Sequence, residues 1–361
     1  MICKSGIDLI KPTTRIAILG SYPPNYGGIS VHIWRLHQWL AQRAQVDVLD
    51  MYNGKQADQQ AGVHRLADNA IRSLISARRL LDRLRPDILH VHVSALQKFL
   101  MTTPVLLTSR GNPKRVLTIH GGKFKQNLES FNPLQKILFK WMLGRFDHIV
   151  CVSAEQHALL AQWGVLETDR SVINAYLPPI KHDNPGLVAE ITTRRKAGKL
   201  VLLVIAQYLP HYGLLELLQA VAALPPPLRE RVAIAHISYL DADAQYQSAC
   251  SEAASGLDYI NHDNLTPPDV AAWLACGDVF VRPTWWDGDA VSVREAAYFG
   301  NRVLATDVAT RPPGSMLCPA KDPAALSRAL ADMIENNALG VVSFDHDTSQ
   351  DALAALYDRL H

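Results

Sequence analysis

Two α/β domains, each a parallel sheet flanked by helices, are what this 361-residue sequence predicts. Short apolar runs alternate with helix-period segments along the whole chain. The alternation breaks once, at a polar, proline-containing stretch over residues 176–199, and then restarts. The length also suits about two domains. Taken in order, Arg15–Gly20 reads as the first strand, residues 21–28 as a loop, and a helix follows from about Ser30. Residues 46–49, 88–92, 115–120 and 148–152 supply four more strands. In such sheets ligands gather at the carboxyl ends of strands, which here hold Gly27-Gly28, His92, His120-Gly121-Gly122 and Ser153. Of His90 and His92, one is expected to face the core. After the break, residues 200–205, 232–235, 279–281 and 302–306 read as a second sheet. The boundaries drawn are 1–185, 186–345 and a last helical segment, 346–361, expected to pack back on the first domain.

Composition narrows the class. Apolar residues make up 48% of the chain, and mean hydropathy is near zero, as in a globular protein with a large core. Cys3, Cys151, Cys250, Cys276 and Cys318 lie far apart, which suggests neither a zinc site nor a disulfide framework. No signal-peptide pattern and no apolar stretch of about 20 residues is present, so a cytoplasmic protein is expected. Residues 1–185 hold 23 Lys and Arg against 13 Asp and Glu, and the remainder 13 against 21. A basic first half suits an anionic partner, or is an ordinary solvated surface. Residues 134–146 and 72–85 interleave Lys or Arg with Leu, Ile, Phe and Trp. Such helices can lie on an anionic membrane surface, or simply cover the sheet with basic outer faces. No nucleic-acid recognition motif accompanies the charge.

The segment richest in chemistry is Asp287-Gly288-Asp289-Ala290-Val291-Ser292-Val293-Arg294-Glu295. An apolar strand ending in Arg282-Pro283-Thr284 leads into it, and Ser292 reads as the start of a helix. Unpaired amides at such a helix entry can hold a diphosphate, and flanking carboxylates can accept hydrogen bonds from sugar hydroxyls. The same letters also fit an S-x-x-E capping box, in which Glu295 would only stabilise the helix.

Together with the early Gly27-Gly28 loop, the strand-end His120 and the stretch from Asp307 to Gly314, this segment resembles the retaining GT-B glycosyltransferases of family 4, in particular members that build bacterial surface polysaccharides such as O-antigen, capsule or exopolysaccharide. The resemblance runs over almost the whole chain. It implies two Rossmann-like domains facing a cleft, with residues 1–185 on the acceptor side and 186–345 binding the donor. It implies that Glu295 binds the donor ribose and that Asp287, one methylene shorter than the usual Glu, faces the transferred sugar. The amides of Gly288, Asp289, Ala290, Val291 and Ser292 would wrap the diphosphate. Gly27 and Gly28 would let donor and acceptor approach the backbone, a place where glycine permits positive φ. His120 would sit beside the reacting sugar, with His92 and Lys123 on the acceptor side.

The implied partners are a nucleotide-sugar donor and a glycan or lipid-linked acceptor; the two basic amphipathic stretches add an anionic membrane surface on the cytoplasmic side. No cofactor is implied. Asp287 and Asp289 form an Asp-x-Asp, but it precedes a helix suited to phosphate, and no metal is expected. In the front-face scheme implied by the family, the leaving diphosphate takes the acceptor proton, and the protein supplies positioning and charge.

One departure stands out. Family members place an Arg and, five residues later, a Lys-Gly on the first loop of the second domain; the matching positions here are Gln207 and Tyr212-Gly213. Arg282, Arg294, Arg311 and His211 are candidate replacements, with Arg282 preferred because it ends a strand. Two other readings remain open: a degenerate GT-B protein that binds a nucleotide-sugar or partner without transfer, and a sugar-nucleotide epimerase on the same architecture.

Overall fold

The computed structural model describes residues 10–24, 27–51, 60–66, 70–93, 99–100, 103, 108, 110–120, 124–180, 183–239, 242–287, 290–343 and 349–361. The chain divides into two compact units, Met1–Leu177 with Asp347–His361, and Pro178–His346.

The strands of the first unit are β1 (Arg15–Gly20), β2 (Gln45–Asp50), β3 (Val63–Arg65), β4 (Ile88–Val93), β5 (Lys114–Ile119), β6 (His148–Cys151) and β7 (Arg170–Val172). They form one parallel sheet in the order β3-β2-β1-β4-β5-β6-β7. Its described helices are α1 (Gly28–Leu40), α2 (Ala70–Leu84), α3 (Phe124–Glu129), α4 (Pro133–Leu143) and α5 (Ala154–Gln162). Both faces of the sheet are covered, which is why β1 reads as one apolar run. Ala17 and Leu19 enter one core, with Leu80, Phe99 and Phe139, while Ile16 and Ile18 enter the other, with Ile33 and Leu36. Strand order reverses between β1 and β4, so a crevice opens at the carboxyl ends of these two strands. At Gly20, the end of β1, a Cβ would lie 2.3 Å from Cδ1 of Ile33, so that side chain would have to turn aside, and 3.4 Å from the Cβ of His92.

The second unit repeats the plan with α6 (Pro185–Lys196), β8 (Leu200–Ile205), α7 (Leu214–Ala222), α8 (Pro226–Arg229), β9 (Val232–Ser238), α9 (Ala244–Ala253), β10 (Tyr259–Asp263), α10 (Pro267–Leu274), β11 (Val279–Arg282), α11 (Val291–Tyr298), β12 (Arg302–Thr306), β13 (Met316–Cys318) and α12 (Pro323–Glu335). The parallel order is β10-β9-β8-β11-β12-β13, with the reversal between β8 and β11. Helix entries follow local rules. Asn132 and Gln135 form a reciprocal box at α4, Thr266 and Asp322 cap α10 and α12, and Pro133, Pro185, Pro267 and Pro323 open their helices. Much of the stretch expected as a connection is α6, whose Leu187 and Ile191 pack on the second core.

The final helix, α13 (Ser349–Leu360), belongs to the first unit. Leu353, Leu356 and Tyr357 pack with Ile16, Ile18 and Leu36, and the Tyr357 hydroxyl lies 2.5 Å from Nδ1 of His90. No helix among the described residues is long and apolar enough to cross a membrane.

Candidate active site

Four histidines, His32, His90, His92 and His120, cluster in the first unit. The expectation that one of His90 and His92 faces the core while the other does not is corrected: two-residue spacing on a strand puts both on one face. Both are buried, with ring centroids 4.1 Å apart. His90 bridges the Tyr357 hydroxyl and, at 2.7 Å, Thr118 Oγ1. His92 Nδ1 meets His120 Nε2 at 2.9 Å. His32, on the second turn of α1, directs Nδ1 at the Ala175 carbonyl, 2.7 Å away, and its ring centroid lies 5.0 Å from that of His120. A carbonyl only accepts, so Nδ1 of His32 carries its proton and Nε2 is a lone pair.

Burial dominates the chemistry of these rings. It pushes His32 down to about 4 and His90 to about 3, and holds His92 and His120 well below the ordinary value. The cluster is therefore neutral at pH 7, and its nitrogens are hydrogen-bonding groups rather than charges. His32, His92 and His120 each offer one nitrogen within 4.8 Å of the others, so they could hold a metal ion. In the structure, one nitrogen each of His92 and His120 is engaged with the other. His32 was not singled out from the sequence; the signal available was its place four residues after Gly28, one turn along α1.

Gly27 and Gly28 do not use the positive φ that glycine permits. Gly27 has φ −145°, an extended conformation open to any residue, and a Cβ at either glycine would meet nothing within 4 Å. Neither positive φ nor crowding requires glycine there, so what these glycines provide is open space at the α1 entry. The amide of Gly27 donates to Ser30 Oγ at 2.9 Å. Gly121, Gly122 and Lys123 lie outside the described residues.

In the second unit the strand ends gather a compact ionic cluster. Arg282 ends β11 at the strand reversal, and its Nη1 donates to the Ile205 carbonyl at the end of β8, 3.3 Å away. Its Nε and Nη2 donate to the two oxygens of Asp287 at 2.9 and 3.3 Å. Arg311, beyond the end of β12, donates from Nη1 to Asp287 Oδ2 at 2.9 Å and from Nε to the Thr306 carbonyl at 3.2 Å. These side chains are only 14%, 10% and 2% exposed for Arg282, Asp287 and Arg311. Burial opposes charge on Asp287, but the two guanidiniums outweigh it and hold the carboxyl below its usual range. Asp287 is thus committed to two arginines, where the family pattern implied a residue facing the sugar. Among the described residues of this cluster, one carboxylate stands between two guanidiniums, an excess of one positive charge.

Of the two positions lacking the expected cations, Gln207 and Tyr212, the second is aromatic, and His211 precedes it. Tyr212 lies under the Arg282 guanidinium at 5.8 Å, and His211 stacks on Trp286 with ring centroids 4.8 Å apart. Trp285 donates from its amide to the His211 carbonyl at 2.9 Å and from Nε1 to Glu216 at 2.8 Å.

Helix α11 starts at Val291, with Ala290 as its N-cap and no side-chain cap bond. Ser292 lies inside the helix, so the S-x-x-E letters do not form the capping box that they spell. Glu295 is 5% exposed, one turn into the helix. Gly288 and Asp289, the start of the expected diphosphate loop, lie outside the described residues.

Residues 26–174 match the family Glycosyltransferase Family 4, and residues 199–336 match Glycosyl transferases group 1. No curated protein matched the chain by sequence. Among solved structures, HepE of Anabaena in complex with UDP-glucose is similar at TM-score 0.67 and 14% identity, over 95% of this chain and 94% of that one. Sucrose-phosphate synthase of Thermosynechococcus elongatus is similar at TM-score 0.69 and 14% identity, over 96% and 98%. The trehalose-6-phosphate synthase OtsA is similar at TM-score 0.67 and 11% identity, over 96% of each chain. At these identities the structures establish a shared fold, and the family matches extend over most of the chain. With two parallel sheets of the doubly wound kind, the chain belongs to the GT-B glycosyltransferases, as a family 4-like member.

Proposed function

We propose that the protein transfers a hexose-type sugar from a nucleotide diphosphate to a hydroxyl of a glycan or lipid-linked acceptor, with retention, in the building of a bacterial surface polysaccharide. The observation that carries this reading is the buried Glu295 on α11, a helix that begins at Val291 directly after the segment in which Asp287 holds Arg282 and Arg311. That pairing suits a ribose on the carboxylate and a diphosphate near the guanidiniums. The HepE complexes with UDP and UDP-glucose support a nucleotide-sugar donor. The histidines of the first unit, neutral and hydrogen-bonding, suit sugar hydroxyls, with His120 beside the reacting sugar and His92 behind it. Lys123 is proposed on the acceptor side. The leaving diphosphate takes the acceptor proton, and the protein's part is to position both partners.

The test is calorimetric titration with UDP, GDP, dTDP, ADP and their common sugars. Glu295→Ala is expected to weaken the preferred nucleotide by about ten- to hundred-fold, the loss of one or two hydrogen bonds to a charged group. Unchanged affinity in the variant would remove Glu295 from the donor site. Retention is read from the anomeric configuration of the product by NMR; an inverted product refutes it. A second reading, binding without transfer, is favoured by Gln207 and Tyr212 standing where cations are expected. It requires that nucleotide-sugar binding persist while no acceptor is glycosylated and Glu295→Ala leaves the biological activity intact.

A peripheral site on the cytoplasmic membrane face is proposed from α4. Phe139, Met142 and Leu143 face the core, yet Leu134, Ile137 and Trp141 are 73%, 68% and 47% exposed at helical spacing beside exposed Lys136 and Lys140. An apolar stripe flanked by lysines fits an anionic bilayer. Replacing Ile137 and Trp141 by Ser is expected to lower sedimentation with anionic vesicles at low salt several-fold. Equal recovery of variant and wild type would reject the surface.

A further inference from the structure

We infer that Arg311, not Arg282, is the cation that meets the donor's diphosphate in place of the family's missing Arg and Lys. This rests on the donor-site reading above. Every nitrogen of Arg282 is already engaged, Nε and Nη2 on Asp287 and Nη1 on the Ile205 carbonyl, and Tyr212 lies against its face. Arg311 differs in one respect. Its Nη1 and Nε have partners, but Nη2 is buried and has none among the described residues. A buried guanidinium nitrogen without an acceptor is costly, because it has lost water and gained nothing in exchange. A phosphate oxygen is the acceptor that suits a charged, planar donor.

Charge supports the same assignment. Among the described residues Asp287 neutralises one of the two guanidiniums, and one positive charge is left over where the three side chains are at most 14% exposed. Placement agrees as well. The Asp287 oxygen shared by both arginines belongs to the segment between β11 and α11, the connection that leads into the helix entry at Ala290. Asp287 then acts as a positioning residue: it fixes Arg311 through Nη1 and leaves Nη2 for the ligand.

The experiment titrates full-length protein with the nucleoside diphosphate that wild type binds best among UDP, GDP, dTDP and ADP. Arg311→Gln is expected to weaken it by about ten- to hundred-fold, the range for one charge-assisted contact. The double variant Arg311→Gln/Asp287→Asn separates contact from structure. If Arg311 only neutralises Asp287, removing both charges restores wild-type affinity and overturns the inference; if Arg311 touches the diphosphate, the loss persists. Arg311→Lys keeps the ion pair but has one ammonium for two acceptors. It serves if the glutamine variant fails to fold, and a several-fold loss is expected; wild-type affinity in either single variant overturns the inference. Should wild type bind none of the four nucleotides, the donor-site reading falls and this inference with it. Binding by wild type with no effect of Arg311 removes this inference alone.

Discussion

Gly213→Ala is expected to destabilise the second unit by about 3 kcal/mol or more and to abolish nucleotide binding with it. Gly213 has φ +72°, a left-handed conformation that costs a residue with a Cβ roughly 1–2 kcal/mol. The larger part is steric. A Cβ there would lie 1.9 Å from the Pro283 carbonyl oxygen and 2.7 Å from its carbon, both backbone atoms that cannot swing away. Relief requires moving Pro283, and Pro283 follows Arg282, so the ionic cluster moves as well. The same loop is tied to the turn by the Trp285 amide on the His211 carbonyl. Gly198 is the control: its φ is +81°, but a Cβ there meets nothing within 4 Å. Gly198→Ala is expected to cost only about 1–2 kcal/mol. Denaturant midpoints of the two variants, read beside wild type, check the difference; equal midpoints would mean that the loop yields freely.

Stability is expected to fall steeply as pH drops from 7 to 5. His32, His90, His92 and His120 are buried neutral in the first unit, and His148 is pushed down to about 4 by burial and by Arg359. Between about pH 4 and 6.5 the unfolded chain binds protons at these histidines and the folded chain does not. The unfolded state then holds more protons, so the unfolding free energy rises with pH and is lost on acidification. Each histidine contributes a slope of up to about 1.4 kcal/mol per pH unit in that window. The groups facing the cluster reinforce the direction: Arg35 opposes charge on His32, and the imidazoles oppose charge on one another. Several such groups can remove a large share of the roughly 5–15 kcal/mol typical of a folded protein. Thermal unfolding followed at pH 7, 6 and 5 tests this, and a melting temperature flat across that range would show that the rings are hydrated.

How far the sequence revealed this architecture depended on where each element sits in its sheet. Of the inner strands, β1, β4, β5, β6, β8, β9, β11 and β12 are buried on both faces and read as apolar runs, and β2 is buried over its second half. The strands that escaped notice, β3, β7, β10 and β13, are the edges of the two sheets. Val63–Arg65, Arg170–Val172 and Tyr259–Asp263 are short and half exposed, so neither an apolar run nor clean alternation marks them. At the site, sequence placed Asp287, Glu295, Arg282 and His120 at strand ends and helix entries correctly in the chain. It did not reveal their partners. That Asp287 holds two arginines depends on bringing β12's exit beside β11's, a contact across 24 residues that no local spacing encodes. The histidine cluster is similar, since His32, His92 and His120 come from three separate segments joined only by the sheet. Ser292 and Glu295 show the opposite case, a local pattern whose letters fit a cap although the N-cap is Ala290, two residues earlier.

The bond between Tyr357 and His90 joins residues 267 positions apart. Because Leu353, Leu356 and Tyr357 fill the same core as Ile16 and Ile18, the first sheet cannot complete one of its two faces until the last helix has been synthesised. The second unit, made in between, has every strand of its sheet before that moment. During translation, then, the unit whose sheet is made first is completed only after the second unit, and its open face, rich in isoleucine and leucine, waits for a segment synthesised after that unit.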